Sequence, residues 1–262
     1  MKQLNASISP ENLFSNISGY TRINLLLDYD GTLAPFRRDR DCAFPYPGIS
    51  GILNRLILQD RVRVVIISGR PVDTIRKLLK LETYPEIWGC HGSERYTPGG
   101  EYHLQELPEG SEEKMDTAFR AVENAGFASF CEKKPTSIAL HWRGVDPRTR
   151  DKIQSAASHY WKPLTGKNGL TIHRFDGGIE LRFSDINKGN VIDNLIAETG
   201  DSELVLYLGD DYTDEDAFRA LKGKGFSFLV RTEFRETEAD FWIEPPGELI
   251  MILNDILKMC GD

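Results

Sequence analysis

The run Ile23-Asn24-Leu25-Leu26-Leu27 stops abruptly on Asp28-Tyr29-Asp30-Gly31. A short, almost unbroken apolar stretch reads as a strand covered on both faces, and such strands belong to parallel sheets flanked by helices. Ligands of those sheets gather at the carboxyl ends of the strands. Asp28 and Asp30 stand two apart, so in extended chain they project to the same side, where two carboxylates repel unless something positive joins them. A hard cation such as Mg²⁺ is a natural partner, since it takes oxygen ligands from one or two carboxylates and a substrate phosphate. One carboxylate is then available to attack phosphorus, and the other to move protons on the leaving group and the incoming water. Asp-x-Asp-Gly is also an ordinary turn, so the rest of the chain has to decide.

The rhythm of the chain extends the pattern. Val62 to Ile67 is a second apolar strand, ending on Ser68-Gly69-Arg70, and Pro71 opens a helix through about Lys80. Ile49, Ile52, Leu53, Leu56 and Ile57 recur at helical spacing, and Ile87 to Gly92 reads as a shorter strand. A helical turn is predicted over Pro10 to Ile17. Later come a helix from Lys188 to about Thr199, a strand at Leu204 to Leu208 running into Gly209-Asp210-Asp211, a helix at Thr213 to Leu221, a strand at Phe226 to Val230 and a closing helix at Leu249 to Met259. Between these halves the rhythm changes to helix (Glu112 to Ala125), two strands (Ala128 to Lys133, Thr136 to Arg143), helix (Pro147 to Trp161) and two strands (Leu170 to Phe175, Ile179 to Phe183). The predicted fold is therefore α/β: a doubly wound, Rossmann-like parallel-sheet core over residues 1–102 and 184–262, with an inserted α+β cap, αββαββ, over 103–183. Alternation assigns Ile138, Leu140, Trp142, Ile179, Leu181 and Phe183 to the packed face of the cap sheet. It leaves Ser137, His141, Arg143, Glu180 and Arg182 on the other face.

A formal net charge of −8 argues against nucleic-acid binding and against a polybasic membrane anchor, because both need a basic surface. No window has the length of a membrane-spanning helix, and the first twenty residues lack the apolar region of a signal peptide. Cys42, Cys90, Cys131 and Cys260 have no metal-type spacing and read as reduced thiols, so the expected location is cytoplasmic. His91, His103, His159 and His173 show no zinc spacing and are read as core or surface residues.

Asp210 ends a buried strand as Asp28 does, and the two meet across a cation only if their strands are neighbours. Thr213 and Asp216 match a helix cap, and Glu215 and Asp216 suit a first turn. Lys188 opens a helix, where its charge opposes the macrodipole; a position against preference suggests work at the Asp28 cluster, with a solvated lysine as the plain alternative. Ser68 and the backbone beside Gly69 suit a phosphoryl oxygen, or a simple helix entry.

Taken jointly, Asp28-Tyr29-Asp30-Gly31-Thr32-Leu33, Ile67-Ser68-Gly69-Arg70, Asn187-Lys188-Gly189 and Gly209-Asp210-Asp211-Tyr212-Thr213-Asp214-Glu215-Asp216 resemble the four motifs of the haloacid dehalogenase superfamily. The resemblance implies Asp28 as nucleophile, Asp30 as general acid/base, and Ser68 and Lys188 on the phosphoryl group. It also implies Mg²⁺ held by Asp28, the Asp30 carbonyl and Asp210, with Asp214 in the outer shell. Glu132-Lys133-Lys134, Ile138-Ala139-Leu140-His141-Trp142-Arg143, His91-Gly92-Ser93-Glu94 and Gly178-Ile179-Glu180-Leu181 further resemble the trehalose-6-phosphate phosphatases. Trp142 stands where Tyr is usual there, and Phe183-Ser184-Asp185 replaces a more basic, proline-bearing stretch. That family implies sugar contacts at Glu132, Lys134, Arg143 and Glu180 with Arg70 nearby, a type IIB-like cap, and a functional link to a trehalose-6-phosphate synthase. The expected function is Mg²⁺-dependent hydrolysis of trehalose 6-phosphate through an aspartyl-phosphate. The alternatives are phosphatase action on sucrose, glucosylglycerol or mannosylglycerate phosphate, phosphotransfer to another sugar, or a sugar-phosphate-binding domain without turnover.

Overall fold

The computed structural model describes residues 1–5, 17–166 and 169–261; most of the turn predicted at Pro10 to Ile17 lies outside them. The chain divides into two compact units, Met1–His103 with Lys188–Asp262, and Leu104–Asn187. The second cut falls beyond the point where the sequence rhythm changes, since Ile186 belongs to the apolar core of the inserted unit.

In the first unit six strands run parallel: β2 (Arg22–Leu27), β3 (Val62–Ile67), β4 (Glu86–Gly89), β11 (Glu203–Gly209), β12 (Phe226–Val230) and β13 (Phe241–Ile243). Their order is β13-β12-β11-β2-β3-β4. β1 (Lys2–Gln3) pairs antiparallel outside β13, and β5 (Glu94–Tyr96) and β6 (Tyr102–Leu104) lie outside β4. Alternate side chains leave opposite faces of each strand, and both faces are covered. Ile23, Leu25 and Leu27 pack with α1 (Ile49–Ile57), α2 (Val72–Leu79) and α7 (Gly247–Gly261). Leu26, Val65 and Tyr207 pack with α5 (Lys188–Ala197) and α6 (Glu215–Leu221) on the other side. This double burial is why the strands read as continuous apolar runs. From β2 the chain winds outward through β3 and β4, and it returns to β11 on β2's other flank. The switch in direction lies between β2 and β11, which is where open α/β sheets leave a crevice at their carboxyl ends.

The inserted unit runs α3 (Ser111–Val122), β7 (Cys131–Lys133), β8 (Ser137–His141), α4 (Pro147–Trp161), β9 (Leu170–Phe175) and β10 (Gly178–Phe183). Its antiparallel sheet has the order β7-β8-β10-β9. α4 starts where Asp146 accepts from the Arg148 and Thr149 amides, with Pro147 in the first turn. Ile138, Leu140, Ile179, Leu181 and Phe183 pack with Met115, Ala118, Ile153 and Trp161 of the two helices. The first predicted strand is shorter than expected, because Ala128–Phe130 forms a 3-10 turn. No helix among the described residues is long and apolar enough to cross a membrane.

Candidate active site

β2 and β11 are adjacent, with Leu27 opposite Leu208, so Asp28 and Asp210 leave neighbouring strand ends. The Asp28 amide donates to the Leu208 carbonyl at 2.9 Å, which pins the turn that follows. In that turn Gly31 donates to Ala34 and Leu33 to Tyr29, while the Tyr29 hydroxyl donates to the Ala43 carbonyl at 2.7 Å. Gly31 has φ +88°, and a Cβ built there would lie 2.2 Å from Asp210 Oδ2. Only glycine fits, because the Asp210 carboxylate occupies the space a side chain would need.

Lys188 Nζ donates to Asp28 Oδ1 and to Asp214 Oδ1, each at 2.6 Å. The three side chains are buried, at 3 %, 5 % and 0 % exposure, so the ammonium is the desolvated counter-ion of two carboxylates. The Tyr207 hydroxyl donates to the same Asp214 oxygen, and Asp214 Oδ2 accepts from the Asp210 and Asp211 amides at 3.0 and 2.8 Å. Asp214 is thus fully used as an anchor. Asp210 differs: it is 1 % exposed, and neither carboxylate oxygen has a hydrogen-bond partner among the described residues.

Titration follows from this layout. Burial, only partly offset by Lys188, pushes Asp28 up to about 7. Burial and the neighbouring Asp28 raise Asp210 well above the usual carboxylate range. Lys188 and the donors around Asp214 overcome its burial and hold it below that range, and the two carboxylates hold Lys188 above its ordinary value. Oxygens of Asp28, Asp210 and Asp214 lie within 4.8 Å of one another. A buried carboxylate without a hydrogen-bond donor, a second raised one beside it and a glycine cradle fit a divalent cation held by Asp28 and Asp210. Both oxygens of Asp214 already accept hydrogen bonds, unlike those of Asp210.

Asp30 is clamped by Arg70, which donates from Nε to Oδ2 at 2.6 Å and from Nη2 to Oδ1 at 2.7 Å. Arg70, read from sequence as a neighbour of the sugar, is buried against the second carboxylate of the pair. β3 registers Ile66 with Leu27, so Ser68 leaves β3 at the same end of the sheet at which Asp28 leaves β2, and its hydroxyl accepts from the Arg70 amide at 3.2 Å. Next to it, a Cβ on Gly69 would meet the His91 ring at 2.7 Å. His91 follows Cys90, and both take left-handed backbone at φ 61° and 48°. That costs on the order of 1–3 kcal/mol per residue and persists only where surroundings enforce it. Here the Cys90 amide donates to Arg70 and the His91 amide to Ser68, each at 2.9 Å. The strand predicted through Gly92 therefore ends at Gly89 and turns back onto the Ser68 loop.

In the inserted unit, Lys134 Nζ donates to Glu180 Oε1 at 2.8 Å and lies 3.9 Å from Glu132 Oε2. Three of the sugar-contact candidates are thus brought together. Arg143 reaches the β9–β10 turn, donating to the carbonyl and carboxylate of Asp176. Sequence reasoning passed over residues that orient this set: Ser137 donates to Glu180 Oε1 at 2.7 Å, and His141 Nε2 lies 3.0 Å from Glu132. The alternation of β8 already put both on the face turned away from the cap helices, and there Ser137 and Glu180 are buried, at 2 % and 1 % exposure. Tyr207 was hidden by its place in an apolar run. The capping assignment needs correction: Asp211, not Thr213, caps the turn, with Asp214 as its reciprocal partner. Glu215 ties in a later segment, accepting from Arg235, Thr237 and the Glu238 amide.

A doubly wound sheet with an inserted α+β unit is the fold of the haloacid dehalogenase-like hydrolases, one of which, from Bacteroides thetaiotaomicron, superposes with a TM-score of 0.60 at 17 % identity, covering 91 % of this chain and 99 % of that one. Residues 26–241 match the trehalose-phosphatase family model, and the chain belongs to that family. The C-terminal domain of the Candida albicans trehalose-6-phosphate phosphatase superposes with a TM-score of 0.79 at 23 % identity, covering 100 % of this chain and 99 % of that one. A trehalose-phosphate phosphatase of Mycobacterium marinum is 31 % identical over 86 % of this chain and 59 % of its own length. A protein of Dictyostelium discoideum named alpha,alpha-trehalose-phosphate synthase [UDP-forming] B is 30 % identical over 87 % of this chain. The chain spans only 29 % of that relative, so much of what such proteins carry lies outside the shared region.

Proposed function

We propose that the chain hydrolyses trehalose 6-phosphate to trehalose and phosphate, with Mg²⁺ as its cation. The observation that carries the reading is the buried Asp28-Lys188-Asp214 cluster facing an Asp210 carboxylate without hydrogen-bond donors at the β2/β11 switch point, in a chain of this family. Lys188 engages Asp28 Oδ1, so attack on phosphorus falls to Oδ2: the Oδ2–P bond forms as the bond from phosphorus to the sugar oxygen breaks. Asp30 gives its proton to that departing oxygen, then takes one from the water that cleaves the aspartyl-phosphate. For this Asp30 must turn one carboxyl oxygen out of the two-point grip of Arg70, which otherwise fixes its direction. Lys188 and the Ser68 hydroxyl and loop hold the phosphoryl oxygens. A cation bound by Asp28, Asp210 and the Asp30 carbonyl supplies charge compensation that lets the carboxylates ionise together and neutralises charge on the transferring group.

Sugar recognition is assigned to Glu132, Lys134, Arg143 and Glu180, whose charges and hydrogen-bonding capacity suit a hydroxyl-rich ligand. A cytoplasmic setting and a functional link to an enzyme that makes the sugar phosphate belong to the same reading, the latter supported by the synthase-named relative. The test is phosphate release from trehalose 6-phosphate in the presence and absence of Mg²⁺, with Asp28→Asn as control. Mg²⁺-dependent release that is abolished in the variant is expected. Release that survives Asp28→Asn would remove Asp28 as nucleophile, and none from the wild type would remove the phosphatase.

A further inference from the structure

Behind the Asp210 loop stands an arginine that none of the four motifs contains. Arg235, on the connection between β12 and β13, donates from Nη2 to the Asp211 carbonyl at 2.7 Å and from Nε and Nη2 to the Asp210 carbonyl at 3.3 Å. Arg231 Nη1 approaches the same Asp210 carbonyl at 3.4 Å and lies 3.9 Å from Asp210 Oδ2. The Asp210 and Asp211 amides both donate to Asp214 Oδ2. The Asp210–Asp211 peptide is therefore gripped at both ends, its N–H by the Asp214 carboxylate and its C=O by the Arg235 guanidinium. A peptide plane held at two ends cannot rotate, and its fixed direction sets where the Asp210 side chain leaves the backbone. The guanidinium is itself fixed: it pairs with Glu215, donates to the Glu236 carbonyl at 2.9 Å and lies 4.8 Å from the centre of the Tyr212 ring.

We propose that Arg235 is a positioning residue for divalent-cation binding, acting through the Asp210 and Asp211 carbonyls to aim the Asp210 carboxylate at Asp28. The proposal rests on the reading that Asp28 and Asp210 hold the cation. Its sign separates it from plain electrostatics. Arg235 is a cation close to a cation site, so if its charge alone mattered, removing it would tighten Mg²⁺ binding. Positioning demands the reverse. Removal of such outer groups typically lowers metal affinity by about 10- to 100-fold.

The experiment is calorimetric titration of MgCl₂ into wild type, Arg235→Ala and Arg235→Lys at a temperature where circular dichroism shows all three folded. The Arg235→Ala Kd should rise at least about tenfold. Arg235→Lys keeps the charge but lacks the planar fork that spans both carbonyls, so it should also weaken binding. An unchanged or tighter Kd in Arg235→Ala overturns the proposal even if that variant melts earlier, since lower stability alone is what a merely structural role gives. Should Arg235→Ala fail to fold, Arg235→Lys decides alone, and a wild-type Kd there overturns the proposal. Absence of Mg²⁺ binding by the wild type overturns the cation reading and this inference with it.

Discussion

Gly31→Ala should damage the site by a route that can be dissected. The residue sits at φ +88°, and an added Cβ would lie 2.2 Å from Asp210 Oδ2 and 2.3 Å from its Cγ. Holding alanine in left-handed backbone costs about 1–2 kcal/mol. Relieving the clash adds about 1–3 kcal/mol, as for other overpacked sites. The expected destabilisation is their sum, about 2–5 kcal/mol, lowering Tm by roughly 4–20 °C at the sensitivity of about 2–4 °C per kcal/mol for a folded unit of this size. Asp210 cannot escape by shifting its backbone, because its amide is held by Asp214 and its carbonyl by Arg235. Its carboxylate must swing away from Asp28, so the rise in Tm on adding MgCl₂ should vanish as well. Gly48→Ala provides the control, since Gly48 has φ +90° and an added Cβ there would find nothing within 4 Å. It should show the backbone cost alone and keep the full response to Mg²⁺. If thermal melts of the two variants coincide with and without MgCl₂, the reasoning about Asp210 is wrong.

Three further outcomes follow from the same geometry. Tyr207→Phe removes a buried donor to Asp214 and should cost about 1.5–3 kcal/mol in urea unfolding, the range for a hydrogen bond to a charged group; an unchanged midpoint contradicts it. Because burial raises Asp28 to about 7, its contribution to folding is fully present below the unfolded value near 3.8 and is lost as pH rises through 7. Mg²⁺ needs the ionised form, so its stabilisation should grow between pH 5 and 8, and a pH-independent Tm increment would count against the assignment. Ser137→Ala should raise KM for trehalose 6-phosphate several-fold, about 1 kcal/mol for one hydrogen bond to Glu180, while leaving p-nitrophenyl phosphate unaffected; equal effects on both would place Glu180 away from the sugar.

The core strands were legible because β2, β3 and β11 are buried on both faces, and their apolar runs end on Asp28, Ser68 and Asp210. The short strands β1, β5 and β13 carried too few residues to show a period, and they are defined by their pairing partners. Lys188 was legible as an anomaly, since a lysine opening a helix violates local preference and the two carboxylates it meets explain why. Arg235 was not, because it lies in the irregular connection after β12 with no motif or period to mark it, and Ser137 was legible only as a residue on the face of Glu180, not as its hydrogen-bond donor. Among the acids of Asp210–Asp216 the strand end marked out Asp210 in sequence, but only packing shows that its carboxylate lacks donors, that Asp211 caps, that Asp214 anchors and that Glu215 binds Arg235.

Substrate choice is the most direct test of the proposed activity. Phosphate release with Mg²⁺ should be compared across trehalose 6-phosphate, sucrose 6-phosphate, glucosylglycerol phosphate, mannosylglycerate phosphate and glucose 6-phosphate. A preference of roughly a hundredfold in kcat/KM for trehalose 6-phosphate, about 2.7 kcal/mol of transition-state discrimination, is the predicted result. A flat profile, or a preference for another sugar phosphate, would contradict it.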